Sequence, residues 1–164
     1  MKREHSFRLQ FKGSPLPTGG QHRFYFVNGE STEIIWDYLE PIFLEEPEVW
    51  NLGQTLESLK EGLSQDAFFL LLGTDWHNWV KFLAIVAIEN YPAQKFLHIP
   101  AATGFDMGSY LEELIDAIDY LAHRLNCDSK LITGRNGWER ILLPYGYQRE
   151  SVRLISNVER RSYH

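Results

Sequence analysis

His98 and Glu89 are the residues of this chain whose types best suit acid–base chemistry. An imidazole titrates near neutrality, and a carboxylate can be tuned by its surroundings, so either can serve as a general base. His98 alternates with Phe96 and Pro100 along a short extended stretch, and Glu89 closes the apolar run before it. His22, His77 and His123 are scattered and share no metal-ligand spacing with His98, so no metal site is expected. The single cysteine, Cys127, excludes an intrachain disulfide and a Cys-rich zinc site. Its place at the end of an apolar helix marks it as a packing residue. Trp76 and Trp79 fall in a turn, where large aromatics either fold back on a sheet or anchor a partner. Arg135, Arg140, Arg149, Arg153, Arg160 and Arg161 gather positive charge near the C-terminus. They are either solvated charge or a contact for nucleic acid or an acidic protein.

Composition narrows the classes. The 164 residues suffice for one domain with a sizeable core, and 44% hydrophobic with 23% charged residues is ordinary for a globular protein. A net charge of −6 supplies no overall basic field for nucleic acid. Met1-Lys2-Arg3-Glu4-His5 is not followed by an apolar run, so no signal peptide is expected. No stretch approaches the ~20 apolar residues of a membrane span. The expected location is the cytosol or a particle.

The elements that must position these residues follow from periodicity. Phe7, Leu9 and Phe11 alternate as an edge strand over Ser6 to Lys12, and Phe24 to Val27 is the next strand. Between them the Gly13–Gly20 stretch, with Pro15 and Pro17, is a loop. Ser31 caps a helix whose stripe is Ile34, Ile35, Tyr38, Leu39, Ile42 and Phe43, kinked at Pro41. Thr55 caps a second helix with Leu56, Leu59 and Leu63 inward. Ala67–Leu72, Val80–Ile88 and Lys95–Pro100 read as an antiparallel meander. Met107, Leu111, Leu114, Ile115, Ile118, Leu121, Ala122 and Leu125 recur at helical spacing, giving the longest helix. Lys130 to Thr133 is a strand, Asn136 caps a short helix ending near Pro144, and Gln148 to Ser156 is the last strand.

The C-terminal segment carries a signature: Gly134, Arg135, Gly137, Trp138, Arg140 and Leu142, then Tyr145-Gly146-Tyr147. It resembles the end of the GNAT (N-acetyltransferase) superfamily, and more closely the GNAT-like proteins encoded by tailed bacteriophages. The resemblance implies a mixed α/β (α+β) fold, with a mostly antiparallel sheet of six to seven strands flanked by about four helices. It covers roughly residues 22–156 of a single domain spanning 1–164. It also implies parallel strands around His98 and Leu131 that splay apart there to form a cofactor cleft.

In such enzymes acetyl-CoA lies at the N-terminus of the long helix, its pyrophosphate cradled by backbone N–H groups. The family motif is Arg or Gln, two residues, Gly, one residue, then Gly or Ala. On this chain it falls on Thr103, Asp106 and Gly108, with Gly104 and Ser109 alongside, and only Gly108 matches. Asp106 reads as an N-cap whose carboxylate repels phosphate. The tyrosine that protonates the leaving thiolate in many members is replaced by Leu142, and nearby Tyr145 reads as a packing residue. The resemblance places the general base on the central strands, where His98 and Glu89 are the candidates. Three functions remain: a phage virion or assembly component acting through phage or host proteins without a cofactor, an acetyl-CoA-dependent N-acyltransferase, or a nucleic-acid-modifying or host-targeting relative. The first is favoured because two functional positions carry residues that oppose their roles.

Overall fold

The computed structural model describes residues 6–10, 13–50, 53–134, 136–150, 154 and 156. The chain divides into two compact units, residues 1–134 and 135–164.

In the first unit β1 (Arg23–Val27), β2 (Phe69–Thr74), β3 (Val80–Asn90), β4 (Lys95–Gly104) and β5 (Ser129–Ile132) form one sheet in sequence order. The first four run antiparallel, and β5 joins β4 in parallel. Among the described residues, five strands stand where six to seven are expected. The N-terminal stretch contributes a single bridge, Arg8 to Trp79, although Phe7 and Leu9 are buried as their alternation requires. Phe11 and Lys12 lie outside the described residues. In the last segment, Gln148 to Glu150, Leu154 and Ser156 carry no strand, and the remaining positions lie outside the description.

Helix α1 (Gly29–Glu45) starts one turn earlier than Ser31 suggests. Asn28 is extended, and its side chain accepts the Ser31 N–H at 3.0 Å, so Asn28 is the cap. The buried stripe is Thr32, Ile35, Trp36, Leu39, Ile42 and Phe43. Ile34 and Tyr38 are 67% and 53% exposed. Bulk explains the rotation: Trp36 packs on Phe43, and Phe43 on Trp50. Pro41 sits inside α1 without ending it.

Trp50 belongs to a short helix α2 (Pro47–Trp50) that no sequence pattern announces. In α3 (Leu56–Ser64) Thr55 is the N-cap, and Leu59 and Leu63 are buried as their spacing requires. The strand after it starts at Phe69, because the Ala67 and Phe68 N–H groups both bond the Gly62 carbonyl while closing α3. Helix α4 (Leu111–Arg124) keeps the expected apolar stripe but begins at Leu111, since Met107–Ser109 forms a separate 3₁₀ turn. Helices α1 and α3 cover one face of the sheet, where Tyr25, Leu72, Leu83 and Ala101 meet Ile35, Leu39 and Leu59. Tyr110, at the head of α4, packs on Phe24 and Phe82 on the other face. Among the described residues no helix is long and apolar enough to cross a membrane.

One irregularity in the sheet sets the face on which His98 lies. Ile85 pairs with Ala101, but Ala87 pairs with His98, so Ile99 and Pro100 on β4 oppose Val86 alone. That is a β-bulge, one of the few places in a sheet interior where proline is tolerated. Cross-strand partners share a face, so the bulge carries His98 and Phe96 to the side of Ala87 and Glu89. Without it, counting by twos from Ala101 would put His98 on the α4 side.

In the second unit, α5 (Asn136–Leu142) is followed by a 3₁₀ turn at Leu143–Tyr145. Asn136 is the first helical residue rather than the cap. Gly146 takes φ 88°, a left-handed conformation that glycine adopts without a Cβ penalty.

At Gly29, an added Cβ would stand 2.2 Å from the Ser64 carbonyl oxygen, because the first turn of α1 lies against the end of α3. At Gly108 it would meet nothing within 4 Å. Gly29→Ala should therefore lower stability by about 1–3 kcal/mol in urea titrations, while Gly108→Ala stays near neutral.

Candidate functional site

The bulge brings Glu89 and His98 together, and β5 adds a third group. Glu89 Oε1 lies 2.7 Å from His98 Nδ1, and Thr133 Oγ1 lies 2.8 Å from His98 Nε2. Thr133 follows β5 directly, and its N–H bonds the Ile99 carbonyl. It shares the face of His98 because His98 pairs with Leu131, two residues before it. The Tyr91 hydroxyl donates to Glu89 Oε2 at 3.3 Å, so both carboxylate oxygens are engaged. The side chains of His98 and Glu89 keep 17% and 30% of their exposure, and Thr133 is exposed. The pair is thus shielded while its hydroxyl end faces solvent.

These contacts select a tautomer. An ionised carboxylate only accepts, so Nδ1 carries the proton toward Glu89. In the neutral ring Nε2 then holds the lone pair and accepts from the Thr133 hydroxyl. The imidazole is oriented from behind and presents its basic nitrogen outward. Thr133 was not legible as a site residue: a threonine closing a short strand carries no signal until β5 is in register with β4.

The turn between β4 and α4 differs from its expected form. Strand β4 runs on through Thr103 and Gly104. Thr103 is buried, its hydroxyl 3.4 Å from Glu46 Oε2. Asp106 is left-handed, φ 55° and ψ 44°, and makes no cap bond, which overturns its reading as the helix N-cap. That backbone turns its carboxylate toward Lys81, with Oδ2 3.8 Å from Nζ. Aspartate tolerates this conformation better than most residues, so it holds the backbone shape of a glycine while adding a charge. The N-cap of α4 is Tyr110, without a side-chain cap bond.

Several donors in this turn are already used. The Phe105 N–H bonds Lys81 O, the Ser109 N–H bonds Asp106 O, and the Tyr110 N–H bonds Met107 O. A Cβ on Gly104 would stand 2.7 Å from both Met107 Cγ and the Tyr110 hydroxyl, so these side chains fill the space beside it. Glu112 and Glu113 add negative charge in the first turn of α4.

The strands around His98 and Leu131 are adjacent and parallel, but they do not splay at those residues. His98 and Leu131 pair directly, and the ladder extends from Phe96–Ser129 to Ile99–Ile132. Beyond Ile99, β4 has no ladder partner on this side among the described residues, so any opening lies past the bulge. Trp76 is 62% exposed with the Arg23 guanidinium 5.1 Å from its ring, and Trp79 is 44% exposed. The Asp75 carboxylate accepts the His77 and Trp79 N–H groups and holds their turn.

In the second unit, Gly137, Trp138, Arg140 and Leu142 lie on α5, and Tyr145 is half-buried in the 3₁₀ turn. Arg149 pairs with Glu139. Arg135, Arg153, Arg160 and Arg161 lie outside the described residues. Among the described residues, no group of three or more His, Cys, Asp or Glu side chains could hold a metal ion.

No protein-family model and no curated protein matches the chain. Solved structures do. It superposes on a predicted acetyltransferase of Clostridium acetobutylicum solved with acetyl-CoA, with TM-score 0.57 and 11% identity over 83% of this chain and 96% of the other. A GNAT family acetyltransferase of Staphylococcus aureus gives 0.56 and 17%, over 85% and 100%. The ribosomal-protein-alanine N-acetyltransferase of Brucella melitensis biovar Abortus gives 0.60 and 8%, over 82% and 99%. At these identities the likeness defines the fold: the chain has the architecture of GNAT acetyltransferases.

Tyr110 offers a test of the turn. Burial, then the Asp106 charge, push its phenol well above the ordinary value, against a lowering hydrogen bond from the Phe105 backbone. Its hydroxyl donates to Lys81 O at 3.0 Å. A phenol that stays protonated in the fold but ionises when unfolded costs stability as pH rises above about 10. Thermal melts should therefore fall above that pH less steeply in Tyr110→Phe, which at neutral pH should lose about 1 kcal/mol with the hydrogen bond.

Proposed function

We propose that the 164-residue chain works as one GNAT-like domain that does not use acetyl-CoA in the family's way. It acts as a bacteriophage virion or assembly component through protein–protein contacts, in the virion or the host cytoplasm. The observation that carries this reading is the β4–α4 turn. A pyrophosphate needs free N–H groups and positive potential at a helix N-terminus. Here the Phe105, Ser109 and Tyr110 N–H groups are bonded within the protein, and the Asp106 carboxylate adds negative charge at the same turn. Lys81, 3.8 Å from that carboxylate, is partly neutralised by it. The phage assignment is supported by the Gly134–Tyr147 signature. The contact role is supported by Trp76 and Trp79, exposed on a turn held by Asp75.

The Glu89–His98 pair favours a second reading, an acetyl-CoA-dependent N-acyltransferase in which His98 Nε2 takes the proton from an amine. Calorimetric titration with acetyl-CoA separates the two. The unmodified chain should show no binding at micromolar concentrations, and Asp106→Gly should tighten whatever weak binding exists. Charge-assisted hydrogen bonds are worth about 1.5–3 kcal/mol each, so two lost bonds weaken affinity roughly a hundredfold or more. Micromolar affinity in the unmodified chain would promote the enzyme.

For the contact role, the double variant Trp76→Ala with Trp79→Ala should reduce co-sedimentation with purified phage particles. It should leave Tm nearly unchanged, because both rings are substantially exposed. A large fall in Tm would show that they are structural.

A further inference from the structure

We propose that Thr133, His98 and Glu89 form a nucleophile–base–orienter triad that cleaves small carboxylic esters through an acyl-threonine, independently of CoA. The juxtaposition is built rather than incidental. Each member comes from a different strand or strand end, and the two hydrogen bonds run in series at 2.7 and 2.8 Å. Glu89 is tied on its far oxygen by the Tyr91 hydroxyl, so it orients the ring and cannot rotate freely. A base held by a third group and bonded to a hydroxyl is the arrangement that activates an otherwise weak nucleophile.

Position and exposure agree with this role. Thr133 stands at the C-terminal end of β5, exposed, while the His98 and Glu89 side chains behind it are largely covered. Phe96, paired with Glu89 across the ladder, lies edge-on to Tyr91 with ring centroids 5.7 Å apart. Their rings offer an apolar surface beside the triad, which suits an ester of an aromatic or apolar alcohol.

The step balances without a further reactant. Thr133 Oγ1 attacks the ester carbonyl carbon as its proton passes to His98 Nε2. The carbon–alkoxy bond then breaks, and the departing alcohol takes that proton, leaving the acyl group on Thr133. Water adds to the acyl carbon, giving its proton to Nε2. As the carboxylic acid leaves, that proton returns to Oγ1, and the hydroxyl is restored. Glu89 keeps Nδ1 protonated throughout and stabilises the imidazolium formed at each transfer.

The test uses the full chain with p-nitrophenyl acetate in the absence of CoA. Nitrophenolate release should depend on the triad, and acid-quenched protein should carry one acetyl group on the peptide holding Thr133. His98→Asn and Thr133→Ala should each lose about a hundredfold or more in rate and lose the adduct, whereas Thr133→Ser should retain both. Glu89→Gln should slow acylation and move the midpoint of its pH profile, a change that loss of packing alone does not produce. Circular dichroism of each variant confirms the fold. Thr133 is exposed, so its two variants keep the test decisive even if a strand variant unfolds. An acetyl group found only on lysines, release unaffected by Thr133→Ala, or no release from the unmodified chain would overturn the triad. None of these outcomes depends on whether acetyl-CoA binds.

Discussion

The bulge at Ile99–Pro100 opposite Val86 is the constraint on which the site depends. A strand's side chains alternate strictly, so an extra residue reverses the face of everything beyond it. In β4 the reversal lets Ala101 join the core on the α1 and α3 side, and it puts His98 on that same side, near the open end of the sheet. Glu89 reaches His98 only because of this. The register with β5 then brings Thr133 to the other imidazole nitrogen. A regular β4 of the same composition would bury His98 toward α4 and leave Glu89 and Thr133 without it.

The two ends of β4 have different electrostatic characters. At the His98 end, hydrogen bonds run in one direction from hydroxyl to imidazole to carboxylate, so each polar group is satisfied while one hydroxyl stays accessible. At the Gly104 end, Asp106 lies beside Lys81, and Glu113 in the acidic first turn of α4 is engaged by His22 and the Gln21 N–H. A helix N-terminus attracts anions only where its donors are free and its neighbours do not cancel the dipole. The GNAT architecture is therefore present with carboxylates at the turn between β4 and α4.

Trp50 shows how much of the helical layer is set by bulk rather than by period. It reaches the core from a four-residue helix, packs on Phe43, and through it on Trp36. This aromatic line outweighs the alternative stripe through Ile34 and Tyr38. Tyr38 keeps only a partial role, stacked on Phe7 at 5.2 Å.

The sequence by itself determined what local chemistry controls. The meander, the apolar stripe of α4 and the Thr55 cap follow from periodicity and side-chain acceptors within a few residues. The resemblance carried by Gly134 to Tyr147 implied the fold that the solved structures share, and His98 and Glu89 were legible as candidates by type. Tertiary structure decided the rest. Pro100 reads in the sequence as the end of a strand, and only the pairing of β3 with β4 shows that the strand continues through it by way of a bulge. Asn28 displaced Ser31 as cap because Gly29 had to start α1 close against α3. Asp106 failed as a cap because the long β4 delivered the chain into a left-handed residue aimed at Lys81. Thr133 became part of the site only when β5 paired with β4, since a hydrogen bond between residues 35 apart in sequence is created by register and not by local composition.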